Sequence, residues 1–119
     1  MAAEIDIPAM KRWYRRYARS FISEDSSAGQ ALRLKEAHGI RVSREMRDLA
    51  AALKLNPAVK DIAVLAGLLH DIGRFEQYTR YGTFVDAKSV NHGDLGVRVL
   101  DQDFGGPQQV TPIGTCSSQ

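Results

Sequence analysis

An uninterrupted apolar run at residues 62–69 constrains the fold of this chain more than any other feature of the sequence. One face of a surface helix does not need so many consecutive uncharged residues, so the run predicts a helix that is buried on most of its sides. It is too short to span a membrane, which takes about 20 apolar residues. His70 and Asp71 follow directly, and a buried carboxylate is costly unless it is paired, hydrogen-bonded or bound to a metal. We therefore expect the chemistry at the end of this helix.

Length and composition are those of an ordinary globular domain. The chain has 119 residues, of which 44% are hydrophobic and 25% charged, and this predicts one domain with a single core. The formal net charge of +2 is too small to indicate a nucleic-acid surface by itself. The single cysteine, Cys116, excludes an internal disulfide framework, and the N-terminus shows no signal-peptide pattern. We therefore expect a cytoplasmic protein without a membrane segment.

Helical periodicity and capping signals divide the chain up to Leu100 into about four to five helices. The signals that mark helix starts are Pro8, Ser26 or Ser27, Asn56 followed by Pro57, and Asp86. Gly73 is placed to end the third helix in a left-handed conformation, which would leave His70 and Asp71 in its last turn. Residues 75–85 indicate a loop or short helical turns folded over that end. The sequence therefore predicts an all-α bundle.

Several helix faces are predicted to point into the core. The first helix has an aromatic side and an arginine side, which we interpret as a core face and a solvated face. The second helix carries a stripe that we expect to face inward, made of Leu34, His38, Val42, Met46, Leu49 and Leu53. His70 and His92 also fall on inward faces, so all 3 histidines of the chain are expected to face the interior. Together they indicate a metal site more strongly than any one of them does.

Three segments contain these histidines in a recurring arrangement. They are KEAHGIRV at residues 35–42, LLHDIGRFEQ at residues 68–77 and NHGDLG at residues 91–96. Together they resemble the HD superfamily of metal-dependent phosphohydrolases, whose pattern is a first His, a later His-Asp pair and a final distant Asp. The resemblance extends over about residues 13–100 and implies an HD-domain-like helical bundle.

The resemblance also implies roles for individual residues. His38, His70 and Asp71 would bind one divalent ion, Asp71 could bridge to a second ion, and His92 would serve that second ion or the phosphate. A mixed imidazole and carboxylate set accepts Mn, Fe, Co, Ni, Zn or Mg, and the ion lowers the pKa of bound water toward neutrality. Asp71, His92 and Arg74 would be the catalytic residues, with Arg74 stabilising charge on the phosphate. Arg74 is equally well explained as a helix-terminal arginine that the macrodipole favours.

The chain departs from the family pattern at its C-terminal end. The final Asp ligand is expected on a later helix, but no helical pattern follows Leu100. The acidic residues beyond His92 follow it too closely to be obvious equivalents; they are Asp94, Asp101 and Asp103. We therefore interpret the chain as an HD-type domain over residues 1–100, truncated or altered after that point, with an irregular tail over residues 101–119.

Three functions are compatible with these features. The leading hypothesis is a metal-dependent phosphohydrolase that acts on a nucleotide or another small phosphoester, since the aromatic segment 75–85 could hold a base. The second is a catalytically silent module of the same fold that binds a nucleotide or a protein partner, since the final Asp is missing. Nucleic-acid binding through the first helix ranks last and is not expected. The residues concerned are Arg12, Arg15, Arg16 and Arg19, interspersed with Trp13, Tyr14 and Tyr17.

A bundle without later helices is expected to leave apolar residues uncovered. Leu95, Val99 and Leu100 lie on the inward side of the last predicted helix, and the tail has few bulky apolar residues to cover them. Contiguous exposed apolar patches usually mark an interface. We therefore expect the chain to form a homo-oligomer through this face.

Overall fold

The structure, a computed structural model, describes residues 5–23 and 26–105, which form five α-helices and one short 3₁₀ helix. The elements are α1 (Ile7–Arg19), α2 (Ser27–Ala52), α3 (Pro57–Leu69), α4 (Gly73–Tyr81), a 3₁₀ helix (Asp86–Lys88) and α5 (His92–Phe104). These described residues contain no strand, so the predicted all-α bundle is confirmed. Among the described residues, no helix is both long enough and apolar enough to cross a membrane.

Capping side chains fix where the helices start. The side chain of Asn56 accepts a hydrogen bond from the backbone nitrogen of Val59 at 2.9 Å, and Ser26 and Asn91 cap α2 and α5 in the same way. The predicted starts at Ser26 and Asn56 are therefore confirmed. The predicted start at Asp86 is wrong, because this residue lies in the preceding 3₁₀ helix and its carboxylate contacts other side chains.

The predicted end of α3 is also wrong. Helix α3 ends at Leu69, a turn of residues 70–72 follows, and Gly73 begins α4 instead of ending the previous helix. Among the described residues the glycine with a left-handed backbone is Gly82, with a φ of 70°, and it ends α4. Residues 75–81 therefore belong to a helix where a loop or short turns were expected, and the His-Asp pair lies between two helices. The expectation that α3 is buried on most of its sides is also wrong, because Val64, Gly67 and Leu68 are buried but Ile62 is 58% exposed.

Gly73 is required by a close crossing of α4 and α5. A side chain on Gly73 would collide with the backbone oxygen of His92, and its Cβ would lie 2.7 Å from the backbone nitrogen of Gly96. Because both obstacles are backbone atoms, they cannot turn aside as a flexible side chain can. The crossing therefore holds the start of α5, and His92 with it, against the start of α4.

The core draws buried side chains from all five of these helices and from the turn after α3. They are Tyr14, Ala18, Leu32, Ile40, Leu68, Ile72, Phe75 and Val99. Tyr14 ties α1 to α2, since its hydroxyl lies 3.1 Å from the backbone oxygens of both Lys35 and Glu36. Burial raises the pKa of Tyr14, so the hydroxyl stays a donor. The aromatic side of α1 packs on the core, as predicted.

The predicted inward stripe of α2 is wrong at both ends. Leu34, Leu49 and Leu53 are 72%, 54% and 62% exposed, whereas Leu32 and Ile40 are buried. A step of four residues turns about 40° beyond a full helical turn, so a stripe built mainly on such steps drifts around a long helix. The buried side of α2 passes instead through Gly29, Leu32, Glu36, Gly39, Ile40, Ser43 and Ala50.

Helix α5 is longer and better covered than the sequence indicates. It continues past Leu100 to Phe104, whose ring packs edge-on against Trp13 with the centroids 4.9 Å apart. Leu95 and Val99 are only 4% and 3% exposed, so the prediction of an uncovered face on α5 is wrong. The rest of the predicted tail, from residue 106 onward, lies outside the described residues.

We expect Gly73→Ala to lower the free energy of unfolding by about 1–3 kcal/mol, because α4 and α5 must separate to make room for the methyl group. Gly93→Ala is the matched control. This glycine is exposed, lies in the first turn of α5, and its Cβ would meet only a side-chain atom, Asn91 Oδ1, at 3.1 Å. Urea denaturation followed by circular dichroism measures both variants. Equal unfolding free energies for Gly73→Ala and wild type would contradict the close crossing.

Candidate metal centre

Two histidines and one aspartate converge between α2 and the turn that joins α3 to α4. His38 comes from α2, and His70 and Asp71 come from the turn of residues 70–72. One donor atom from each of the three lies within 4.8 Å of the others. The Nε2 atoms of His70 and His38 lie 3.4 and 4.0 Å from Asp71 Oδ2. The structure thus brings together the three residues that the sequence indicated as ligands of one ion. His70 is exposed, with 39% of its side chain accessible, so the prediction that all three histidines face the interior is wrong for this residue.

A backbone carbonyl sets the orientation of the His70 ring. Its Nδ1 lies 2.7 Å from the backbone oxygen of Gly67, one turn earlier in the chain. A carbonyl oxygen can only accept, so we assign the proton of the neutral ring to Nδ1. Nε2 then presents its lone pair on the side of Asp71, which is the arrangement that suits an ion.

Gly67 also allows His38 and His70 to approach each other. A Cβ on Gly67 would lie 2.9 Å from Met46 Cγ and 3.1 Å from the backbone oxygen of Val42, both on α2. Without that atom α3 packs closely on α2. The imidazole rings of His38 and His70 consequently lie 5.2 Å apart, measured between their centroids.

The His38 ring is favoured in its neutral form. Desolvation lowers the pKa of His38, and the neighbouring His70 lowers it further. Neutral imidazole is the form that binds metals. Arg41 donates to His38 Nδ1 at 2.8 Å, so we assign the ring proton to Nε2 in this state. An ion on Nε2 needs the proton on Nδ1 instead, so the exposed Arg41 side chain must then release this contact.

His92 meets Asp71 through the other carboxylate oxygen. It is the first residue of α5, and its Nε2 lies 3.2 Å from Asp71 Oδ1, whereas His38 and His70 are paired with Oδ2. The group of three mutually close donors does not include His92. One oxygen of the Asp71 carboxylate therefore lies next to His38 and His70, and the other oxygen lies next to His92.

Asp86 belongs to this site and was not predicted there. Its carboxylate accepts hydrogen bonds from His92 Nδ1 at 2.9 Å, Gln77 Nε2 at 2.9 Å and Arg74 Nη1 at 3.0 Å. The bonds from His92 and Gln77 hold the pKa of Asp86 well below its usual range. An Asp shortly before a helix looks the same in sequence whether it caps the helix or orients a histidine. No local signal could separate the two.

Arg74 lies beside Asp71, with its Nε 3.9 Å from Asp71 Oδ1. Besides its bond to Asp86, Nη1 donates to the backbone oxygen of Phe84 at 2.6 Å and to Gln77 Oε1 at 2.8 Å. Nε is buried, and no atom of the described part of the chain accepts a hydrogen bond from it. The guanidinium is thus fixed between Asp71 and the segment that precedes α5.

Lys35 also lies at this site, although the sequence motifs did not indicate it there. Its Nζ lies 3.9 Å from Asp71 Oδ2 and 5.1 Å from the centroid of the Phe84 ring. The sequence could have indicated Lys35, because it precedes His38 by three residues and residues at that spacing share a helix face.

Comparison with known proteins gives one result. A family model for the HD domain matches residues 36–110, which is more than half of the chain. The matched range contains His38, the His70-Asp71 pair and His92. No curated protein sequence and no solved structure shows significant similarity to the chain.

We expect the acid sensitivity of folding to depend on Asp86. Because its folded pKa is depressed, its contribution to stability is present above the unfolded Asp pKa of about 3.9 and is lost as the pH falls toward the folded pKa. Wild type should therefore lose more stability than Asp86→Asn between about pH 6 and about pH 3, measured as the shift of the urea midpoint. Asp101→Asn, at an exposed position on α5, is the control and should follow wild type. Parallel curves for wild type and Asp86→Asn would exclude this role.

Proposed function

Since the chain belongs to the HD domain family, we propose that it is a metal-dependent phosphohydrolase that acts on a nucleotide or another small phosphoester. One observation supports the proposal most directly: donor atoms of His38, His70 and Asp71 lie within 4.8 Å of one another. Membership of the family points to metal-dependent phosphate chemistry, and this group of donors offers a place for the ion.

The donor set fits a divalent ion. Imidazole and carboxylate ligands together suit Mn, Fe, Co, Ni and Zn, and carboxylates also suit Mg. When bound, such an ion lowers the pKa of a water ligand and so supplies a nucleophile near neutral pH. We propose one ion at His38, His70 and Asp71, and a second ion or the substrate phosphate beside Asp71 Oδ1 and His92.

The residues around the ligands have distinct proposed tasks. The bond to Asp86 keeps a proton on His92 Nδ1, so that Nε2 is directed toward Asp71. Arg74 provides a fixed positive charge next to Asp71, and such a charge stabilises the equatorial oxygens of a phosphoryl group in transfer. Asp71, Arg74 and His92 are therefore the catalytic residues that we propose.

A nucleotide is the substrate class that we favour, because an aromatic pair borders the site. The rings of Tyr78 and Phe84 stack with centroids 4.4 Å apart and planes at 24°. Phe84 is the ring over which Lys35 lies, and both aromatic side chains are only partly buried. Because one face of Phe84 stacks on Tyr78 and Lys35 lies over the ring, a base would pack edge-on against the accessible rim of this pair.

The alternative is a module that binds a nucleotide or a protein partner without turnover. It is supported by the size of the donor group, since only His38, His70 and Asp71 form such a group among residues 5–23 and 26–105. A site that lacks one ligand of the family pattern would bind its ion less tightly.

We also propose self-association, on a different surface from the one that the sequence indicates. Exposed apolar side chains lie around the connection of α2 to α3: Leu49, Leu53, Leu55, Val59 and Ile62. Light scattering over a range of concentrations should show a homo-oligomer that Leu53→Lys weakens, and a monomer at every concentration would rule it out.

A cytoplasmic location remains a proposal that rests on the lone Cys116.

Loss of a ligand and loss of a charge have different expected effects. His70→Ala or Asp71→Ala should abolish both bound metal and phosphatase activity, because each removes a donor from the ion. Arg74→Ala should keep the metal but lower the rate on the order of a hundredfold. Elemental analysis of the purified protein and phosphate release from a panel of nucleotides in added Mn or Co measure the two effects.

The control for these variants is Asp101→Ala, which changes a carboxylate on the exposed side of α5 and should leave both readings unchanged. A chelator should remove activity, and added ion should restore it. Equal metal content and equal rates in wild type and all three site variants would refute the assignment. Tight metal binding without turnover of any nucleotide would favour the silent module.

A further inference from the structure

We infer that Lys35 contacts the phosphate of the substrate, an inference that rests on the proposed function. Lys35 lies one turn before His38 on α2, so both side chains project from the same face of the helix. Its Nζ is 3.9 Å from Asp71 Oδ2, the oxygen that is also paired with His38 and His70. The ammonium is therefore next to the position where those three donors would place an ion.

Lys35 is less constrained by hydrogen bonds than the arginines near the site. Arg74 Nη1 has three acceptors, from Phe84, Gln77 and Asp86, and Arg41 donates to His38. The Lys35 ammonium is 3.9 Å from Asp71, which is too long for a strong hydrogen bond. Its side chain is 29% exposed, so it can reach a ligand that approaches from solvent.

The charge balance of the site changes when Asp71 binds an ion. Within the described residues, Asp71 is the carboxylate with which Lys35 forms an ion pair. Once that carboxylate is shared with a divalent ion, Lys35 has a like-charged neighbour and a weaker partner. An anion held next to the ion then offsets this repulsion. A phosphate group meets the requirement, because its oxygens can contact both the ion and an ammonium.

Phe84 keeps the ammonium at this position. Its ring centroid lies 5.1 Å from Lys35 Nζ, within the range of a cation–π contact. The ring is itself held in place, since its backbone oxygen accepts a bond from Arg74 at 2.6 Å and its face stacks on Tyr78. Lys35 is thereby restrained beside Asp71 without using the donors that a phosphate needs.

The test is calorimetric titration of inorganic phosphate into protein that has been loaded with Mn or Co. Lys35→Gln should weaken phosphate binding about tenfold or more, since a charge-assisted hydrogen bond is lost. Lys35→Arg, which keeps the charge, should recover most of that affinity. Lys88→Gln changes an exposed lysine on the nearby 3₁₀ helix and should bind phosphate as wild type does.

Titration of the metal alone separates this inference from the proposed function. Lys35→Gln should bind Mn or Co at least as tightly as wild type, because a repelling charge is removed. Wild type that binds no divalent ion would overturn the proposed function and this inference together. Normal metal binding, with equal phosphate affinity in wild type and Lys35→Gln, would overturn the inference alone and leave Lys35 as a neutralising partner of Asp71.

Discussion

The Asp71 carboxylate lies among nitrogen atoms from four parts of the chain: Lys35 and His38 on α2, His70 beside it in the turn, Arg74 at the start of α4, and His92 on α5. Its side chain is 17% exposed, and at that depth a carboxylate is costly without partners. The partners reach it only if α2, the end of α3 and the starts of α4 and α5 all meet at the same place. The stability of this charge and the packing of the bundle therefore depend on each other.

Glycines determine how closely the helices of the bundle approach. Gly39 makes room for the Tyr14 hydroxyl between α1 and α2, Gly67 lets α3 lie against α2, and Gly73 lets α4 cross α5. Each of these helix pairs either carries a residue of the site or supports one that does. A methyl group at any of the three positions would move the helices apart. Residues without functional side chains thus set the distances between those that have them.

The convergence of His38, His70 and Asp71 could be predicted because strong local signals coincide there. The apolar run 62–69 predicts that His70 and Asp71 follow a helix buried on most of its sides; the structure places them directly after α3, but that helix buries only one side, since Ile62 is 58% exposed. The place of Asp86 in the site could not be predicted, because its partners lie in α4 and α5 and helix capping offers a local explanation that is wrong. The role of Gly73 was wrongly predicted for the same reason. A glycine after a helix suggests a left-handed helix end, whereas Gly73 is needed because α5 packs where its side chain would lie, and this contact is not visible in the local sequence.

Four side chains, those of Arg74, Gln77, Asp86 and His92, form a connected polar unit. Asp86 accepts hydrogen bonds from the other three, and Arg74 also donates one to Gln77. Loss of one side chain leaves another without its partner in a partly buried place, which is worse than the loss of the bond alone. A second change that removes the orphaned group costs less than the sum of the two single changes. In sequences that descend from a common ancestor, these four positions are therefore expected to change together or not at all. Covariation, rather than invariance at any one position, would be the evolutionary mark of this unit.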